Sequence, residues 1–200
     1  GWYKNICKQW KIYYFTKNAS WITPVIGEEK KGCGVLRNWY YIPFVIEPSR
    51  RIKTNWFEDG KVRIVMVAKY MARKNHLLLL KALEPLKKKY NFILEFIGGY
   101  GPQNYKITYE KVRDYVIRKQ IDWVTFTDPL SYEELQEKLT DFDLFVLTSK
   151  NEAVGVSVLE AMAKGLPVVC SSTAGVKYYV EHSKNGRIFK SDDVIDLRYN

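Results

Sequence analysis

The chain reads as an α/β protein built on a doubly wound parallel sheet, Rossmann-like in pattern. From Val62 onward, short runs of branched and aromatic residues alternate with longer amphipathic stretches. The short runs are apolar almost throughout, as strands covered on both faces are, and do not switch between apolar and polar. Each run also gives way to a loop rich in glycine or polar residues.

In order, residues 62–68 predict the first strong strand, and 77–90 a helix with Lys87, Lys88 and Lys89 near its end, where cations suit the helix dipole. Residues 92–97 predict the next strand, closed by Gly98-Gly99-Tyr100-Gly101-Pro102. A helix over 105–119, a short strand over 123–126 and a helix over 131–139 follow, with Ser131 and Glu134 at capping-box spacing. Residues 144–147 predict a strand, a second apolar helix comes next, and 167–170 predict another strand. Residues 176–181 predict one or two helical turns before a turn at Asn185-Gly186. Ligands of such sheets bind beyond the carboxyl ends of the strands. The loops at Lys69, 98–101, 127–130 and 149–155 are therefore expected along one edge, within reach of a single ligand. The first sixty residues differ: 10–15 suggest a strand, and 18–31 show no clear amphipathic repeat.

Composition limits the partners. The 200 residues suffice for one good core, and 46% hydrophobic with 27% charged residues is a globular balance. No apolar run approaches the roughly 18 residues of a membrane span, and the stretch from Gly1 is too mixed for a signal peptide. Three dispersed cysteines (Cys7, Cys33, Cys170) and two histidines argue against a disulfide framework and a zinc site, and fit a cytoplasmic location. His76 and His182 read as packing or surface residues, not catalysts. The net charge of +10 is spread along the chain with no nucleic-acid motif, so nucleic acid is not an expected partner. Plain solvated basic faces account for that charge at least as well as any partner.

The chemistry concentrates in residues 151–165. Seven residues separate Glu152 from Glu160, and from Ala153 to Ala163 only Ser157 and Glu160 are polar, which predicts a largely buried helix. A carboxylate there loses hydration and needs donors from protein or ligand. Gly155 precedes the helical stretch, while Gly165 and Pro167 close it. Glu152 then stands just ahead of the helix N-terminus and Glu160 about a turn and a half inside. Free N–H groups at that terminus favour a phosphate, and the carboxylates accept sugar hydroxyls, an arrangement suited to a sugar nucleotide. Spacing alone accounts equally well for a Glu that is half exposed or paired with a core Lys.

The run resembles the E-x7-E signature of the retaining GT-B glycosyltransferases of the family 4, or group 1, type. Glu152-Ala153-Val154-Gly155 stands for the family's Glu-Gly-Phe-Gly, and Leu159-Glu160-Ala161-Met162-Ala163 through Gly165-Leu166-Pro167-Val168-Val169 matches closely. The resemblance implies one half of a GT-B architecture. Residues 1–55 would be a remnant of the acceptor-side domain and linker, with Tyr40-Tyr41-Ile42-Pro43 similar to the linker strand, and 56–200 the nucleotide-sugar-binding domain. In the family, further closing helices follow the position of Asn200.

By the same resemblance, Glu160 binds the ribose hydroxyls and Glu152 the transferred sugar. Lys69 and Lys74, with Arg73 sharing the role and amides at Gly155 and Val156, hold the diphosphate; Glu152, Lys69 and Lys74 form the catalytic set. Gly98 and Gly101 line the donor pocket, and Val124 with 127–130, including Asp128, receives the nucleobase. Thr173-Ala174-Gly175 matches a small-residue turn. The resemblance implies no metal and no cofactor, a nucleotide-diphosphate sugar as donor, and a glycan or lipid-linked sugar as acceptor, hence peripheral membrane contact. A non-catalytic nucleotide- or glycan-binding module, or a half-enzyme needing a partner chain, is the alternative.

Overall fold

Two units make up the chain, Gly1–Val45 and Ile46–Asn200. The structure, a computed structural model, describes Ser20–Thr23, Asn38–Tyr41 and residues 42–49 and 51–200. In the first unit Ser20–Thr23 (β1) and Asn38–Tyr41 (β2) pair in parallel, with Ser20 opposite Asn38 and Thr23 opposite Tyr41. The strand expected over 10–15 lies outside the described residues, as do Cys7 and Cys33. Residues 46–55, within the stretch that the resemblance gives to a domain remnant and linker, cluster with the second unit. There Lys53 forms a buried ion pair with Asp143 at 3.2 Å and its N–H bonds to the Lys164 carbonyl at 2.9 Å.

The second unit is a six-stranded parallel sheet of Val62–Val67 (β3), Phe92–Ile97 (β4), Val124–Thr127 (β5), Leu144–Leu147 (β6), Val168–Ser171 (β7) and Gly186–Phe189 (β8). Their spatial order is β5-β4-β3-β6-β7-β8. The helices are His76–Leu83 (α1), Gln103–Arg118 (α2), Tyr132–Lys138 (α3), Val156–Ala163 (α4) and Val194–Tyr199 (α5). Successive β3 residues enter two separate cores. Ile64 and Met66 join Leu79 of α1, Val112 of α2 and Leu197 of α5, whereas Val65 joins Phe145, Val158 and Ala161 of α4. Both faces are covered, which is why the central strands β3, β4, β6 and β7 are mostly apolar, while the edge strands β5 and β8 are less buried and carry Thr125, Thr127 and Arg187. Phe96, Phe145 and Phe189 are fully buried; truncating such a ring to Ala costs about 3–5 kcal/mol.

Local chemistry sets the element ends. α1 stops at Leu83 and a 3-10 segment, Glu84–Lys88, completes the stretch expected to be helical to Tyr90. Pro85 has no N–H to offer the Lys81 carbonyl. The capping box forms: Ser131 Oγ accepts from the Glu134 N–H at 3.2 Å, and the Glu134 carboxylate accepts from the Ser131 N–H at 2.8 Å. The helical turns expected over 176–181 are a 3-10 turn at Gly175–Tyr179, and the chain then builds β8 and α5. The Asp193 carboxylate caps α5 by accepting from the Ile195 and Asp196 N–H groups, each at 3.0 Å. Among the described residues no helix is long and apolar enough to cross a membrane.

Candidate functional site

Moving outward from β3, chain order runs one way through β4 and β5 and the other way through β6, β7 and β8. The direction reverses between β3 and β6, and in open parallel sheets the crevice beyond the carboxyl ends at such a reversal is where ligands sit. The loops leaving β3 and β6 are tied together there. The Lys150 N–H bonds to the Arg73 carbonyl at 2.7 Å, and the buried Thr148 hydroxyl reaches the Lys74 and Asn75 carbonyls at 2.8 and 3.1 Å.

Beyond β3 the backbone stays extended, with the Ala68 N–H on the Ile97 carbonyl and the Tyr70 N–H on the Gly99 carbonyl, both at 3.0 Å. That alternation turns Ala68 and Tyr70 inward and leaves Lys69 exposed. The 3-10 turn Ala72–Lys74 follows, closed by Asn75 at φ 55°. Gly98 has a packing reason of its own: a Cβ there would lie 2.0 Å from the Ala68 carbonyl oxygen.

Beyond β6 the main chain of Glu152 is anchored, its carbonyl accepting from the Gly175 N–H at 2.8 Å, while the Asn151 N–H bonds to Thr173 Oγ1 at 3.1 Å. The Glu152 carboxylate accepts through one oxygen, Oε2, from Arg73 Nη1 at 2.7 Å and from Lys74 Nζ. Glu152 and Lys74 side chains are each only 13% exposed, against 41% for Arg73. Burial alone raises the Glu152 carboxyl, but the hydrogen bonds and charges of Lys74 and Arg73 outweigh it and hold the group below the ordinary carboxylate range. Gly155 turns the chain into α4 at φ 88°, a conformation that side chains resist. No side chain caps α4, so the amides of Val156 and Ser157, first in the helix, have no intrahelical partner.

Glu160 is the fifth residue of α4. The helix is buried along one face only, through Val158 and Ala161, where the sequence predicted burial nearly all round. Glu160 lies on the half-buried side, close enough to Tyr132 at the start of α3 for its charge to act on that phenol. No hydrogen bond or ion pair reaches it among the described residues, and burial pushes its carboxyl above the ordinary range.

Lys69, Arg73, Lys74, Glu152, Gly155 and Val156 thus stand on loops or a helix start beyond the carboxyl ends of β3 and β6. Gly98 and Gly101 follow β4, and the exposed Asp128 follows β5 on the same edge. Val124 does not join them. It opens β5, about 10 Å from that strand's carboxyl end at the ordinary rise, and its half-buried side chain packs on the first core. His76 is buried, stacked on Tyr70 at 4.5 Å, and burial pushes its pKa down to about 3; His182 is exposed. Among the described residues no group of three His, Cys, Asp or Glu side chains could hold a metal.

The sequence pattern missed Thr148, Asn75, Lys150 and Asp192. Lys150 Nζ pairs with Asp192 at 2.5 Å and Asn75 Nδ2 donates to the same carboxylate at 3.0 Å, joining three loops at this edge. Asn75, Asn151 and Asp192 all hold left-handed φ values of 53–65°. Asn and Asp are the side chains that tolerate this best, so the residue types on the loops after the predicted strands 62–68 and 144–147 were the available signal for Asn75 and Asn151, and Asp192 followed no predicted strand.

The sequence model of the family "Glycosyl transferases group 1" matches residues 49–198. A Dictyostelium discoideum GDP-Man:Man(3)GlcNAc(2)-PP-Dol alpha-1,2-mannosyltransferase is 28% identical over 157 residues, covering 73% of this chain and 31% of its own length. An Arabidopsis thaliana sulfoquinovosyl transferase is 29% identical, covering 94% of this chain and 38% of its own length. Among solved structures, sucrose-phosphate synthase from Thermosynechococcus elongatus superposes with TM-score 0.80 at 20% identity, over 94% of this chain and 49% of that one. Anabaena HepE in complex with UDP-glucose superposes with TM-score 0.75 at 18% identity, over 92% and 53%. The chain spans well under half the length of these curated relatives.

Proposed function

Because this chain belongs to the glycosyl transferases group 1 family, we propose that its second unit is the nucleotide-sugar-binding half of a glycosyltransferase that transfers the sugar with retention. The fold is that of the GT-B neighbours, a six-stranded parallel sheet with helices on both faces. One observation carries the proposal: at the sheet's reversal, Arg73 and Lys74 pair with Glu152 ahead of an uncapped helix start, and that helix carries Glu160, a half-buried carboxylate with no protein partner among the described residues. A carboxylate in that state is completed by hydroxyl donors from a ligand.

In this reading Glu160 accepts the ribose hydroxyls and Glu152 the hydroxyls of the transferred sugar. Lys69, Lys74 and Arg73, with the amides opening α4, take the diphosphate. As the nucleoside diphosphate departs, negative charge builds on it, and fixed cations and helix amides stabilise that charge without reorganising. Lys69 contributes a point charge where the family more often has the bidentate fork of Arg. Same-face attack, with the leaving phosphate taking the acceptor's proton, gives retention. These groups perform the charge stabilisation that a metal supplies elsewhere, so the reaction is proposed to need none. The base-receiving segment is 127–130 at the carboxyl end of β5, and Val124 drops out of it.

UDP-glucose in the HepE complex and the GDP-mannose named for the Dictyostelium enzyme mark nucleotide sugars as ligands of those proteins. They support the same ligand class here. A glycan or lipid-linked sugar is the proposed acceptor, reached from the cytoplasmic side with peripheral contact to an anionic membrane. Calorimetric titration with UDP, GDP and ADP at two salt concentrations, with an oligonucleotide as control, tests the assignment. A nucleoside diphosphate should bind and the oligonucleotide should not; preference for the oligonucleotide refutes it.

A further inference from the structure

Two of the three cations assigned to the diphosphate are already paired. Arg73 and Lys74 both donate to Oε2 of Glu152, and Lys74 and Glu152 are mostly shielded from solvent. All three main chains are anchored by hydrogen bonds. Arg73 is held through its carbonyl by the Lys150 N–H, Lys74 through its carbonyl by Thr148, and Glu152 through its carbonyl by the Gly175 N–H. Only side-chain rotation can part the cluster. Lys69, exposed and without an ion pair among the described residues, is the cation that meets an incoming anion first.

We infer, on the basis of the donor-site reading above, that Glu152 is an internal stand-in for the diphosphate: the nucleotide displaces it from Arg73 and Lys74, and the freed carboxylate then becomes available to the sugar. Two anions cannot share these cations without mutual repulsion, which at a partly shielded site is far less screened than in water. The exchange therefore subtracts from affinity for a bare nucleoside diphosphate. It is compensated only by a donor whose sugar hydroxyls satisfy the released carboxylate. The site discriminates, by this exchange, between an intact nucleotide sugar and its spent nucleoside diphosphate product.

A rival role for Glu152, as the post that organises the two cations for phosphate, predicts the opposite sign. The test is calorimetric titration of the wild-type chain and the Glu152→Gln and Glu152→Ala variants with UDP and GDP, with uridine and guanosine as controls. The exchange predicts diphosphate affinity at least threefold tighter in both variants, with nucleoside affinity unchanged. Unchanged or weaker diphosphate binding overturns it. In the wild-type chain the Glu152 carboxyl carbon resonance should move on adding the diphosphate and stay still on adding nucleoside. A resonance unmoved by bound diphosphate overturns the exchange whatever the variants do. A wild-type chain that binds neither UDP nor GDP overturns the donor-site reading and the exchange with it.

Discussion

Replacing Glu160 by Gln separates a ligand-binding carboxylate from a structural one, because the two roles predict opposite signs of stability change. Glu160 is half-buried, without hydrogen bond or ion pair among the described residues, and its carboxyl is held above the ordinary range by burial. The folded chain therefore binds this proton more tightly than the unfolded chain does. The resulting stabilisation is fully present below the ordinary carboxylate value, about 4.3, and is lost as pH rises through the raised folded-state value. At neutral pH the ionised group carries an uncompensated desolvation cost, which Gln removes. The side chain is still partly open to solvent, so the gain stays below about 1 kcal/mol. Glu160→Gln should thus melt slightly higher than wild type at pH 7, with the advantage disappearing in acid. Ligand affinity should move the other way. A hydrogen bond to a charged acceptor is worth about 1.5–3 kcal/mol against about 0.5–1.5 for a neutral one, so about 1–2 kcal/mol, roughly five- to thirtyfold in Kd, should be lost. Calorimetry with UDP and GDP measures this, and the 2′,3′-dideoxynucleoside diphosphates should show no such loss. A variant that melts lower at pH 7 and binds unchanged would refute the argument.

Lys69→Ala or Lys74→Ala should weaken nucleoside diphosphate binding by about 1.5–3 kcal/mol and nucleoside binding much less; equal weakening of both would show that the lysines only support the pocket. Gly155→Ala places a side chain at φ 88° and should cost about 1–3 kcal/mol of stability, read as a lower Tm; an unchanged Tm would mean that the α4 entry is not under this constraint. EDTA should leave diphosphate affinity unchanged in calorimetry, and a strict requirement for Mg2+ contradicts the metal-free assignment. The 200-residue chain alone should bind donor yet transfer sugar far more slowly than about 1 per second, because holding the acceptor in line and excluding water supply much of the rate. Supplying an acceptor-side domain should restore transfer, and ordinary turnover by this chain alone contradicts the expectation.

What was legible in the sequence was what local pattern encodes. β6 spans the residues read as a strand from Leu144-Phe145-Val146-Leu147, and the Ser131 capping box closes as its spacing implies. Burial on both sheet faces makes the central strands mostly apolar, so the fold class could be read. β8 and α5 were missed because Gly186-Arg187-Ile188-Phe189 is too short to show a period and Gly186 reads as a turn. The Asp193 cap ahead of Val194 and Leu197 was the signal for α5. Within the site, the residue types after β3 and around α4 were readable, but their pairing was not. Arg73 and Lys74 lie 79 and 78 residues from Glu152, and only the adjacency of β3 and β6 brings them together. Val124 opens β5, opposite Leu94 of β4, at the end away from the loops that hold the other candidate residues.

A structure of this chain soaked with UDP or GDP tests the central claim most directly. The account predicts the diphosphate against Lys69, Lys74 and the first amides of α4, with both ribose hydroxyls on the Glu160 carboxylate. A diphosphate bound away from the carboxyl ends of β3 and β6, or a ribose that leaves Glu160 untouched, would contradict it.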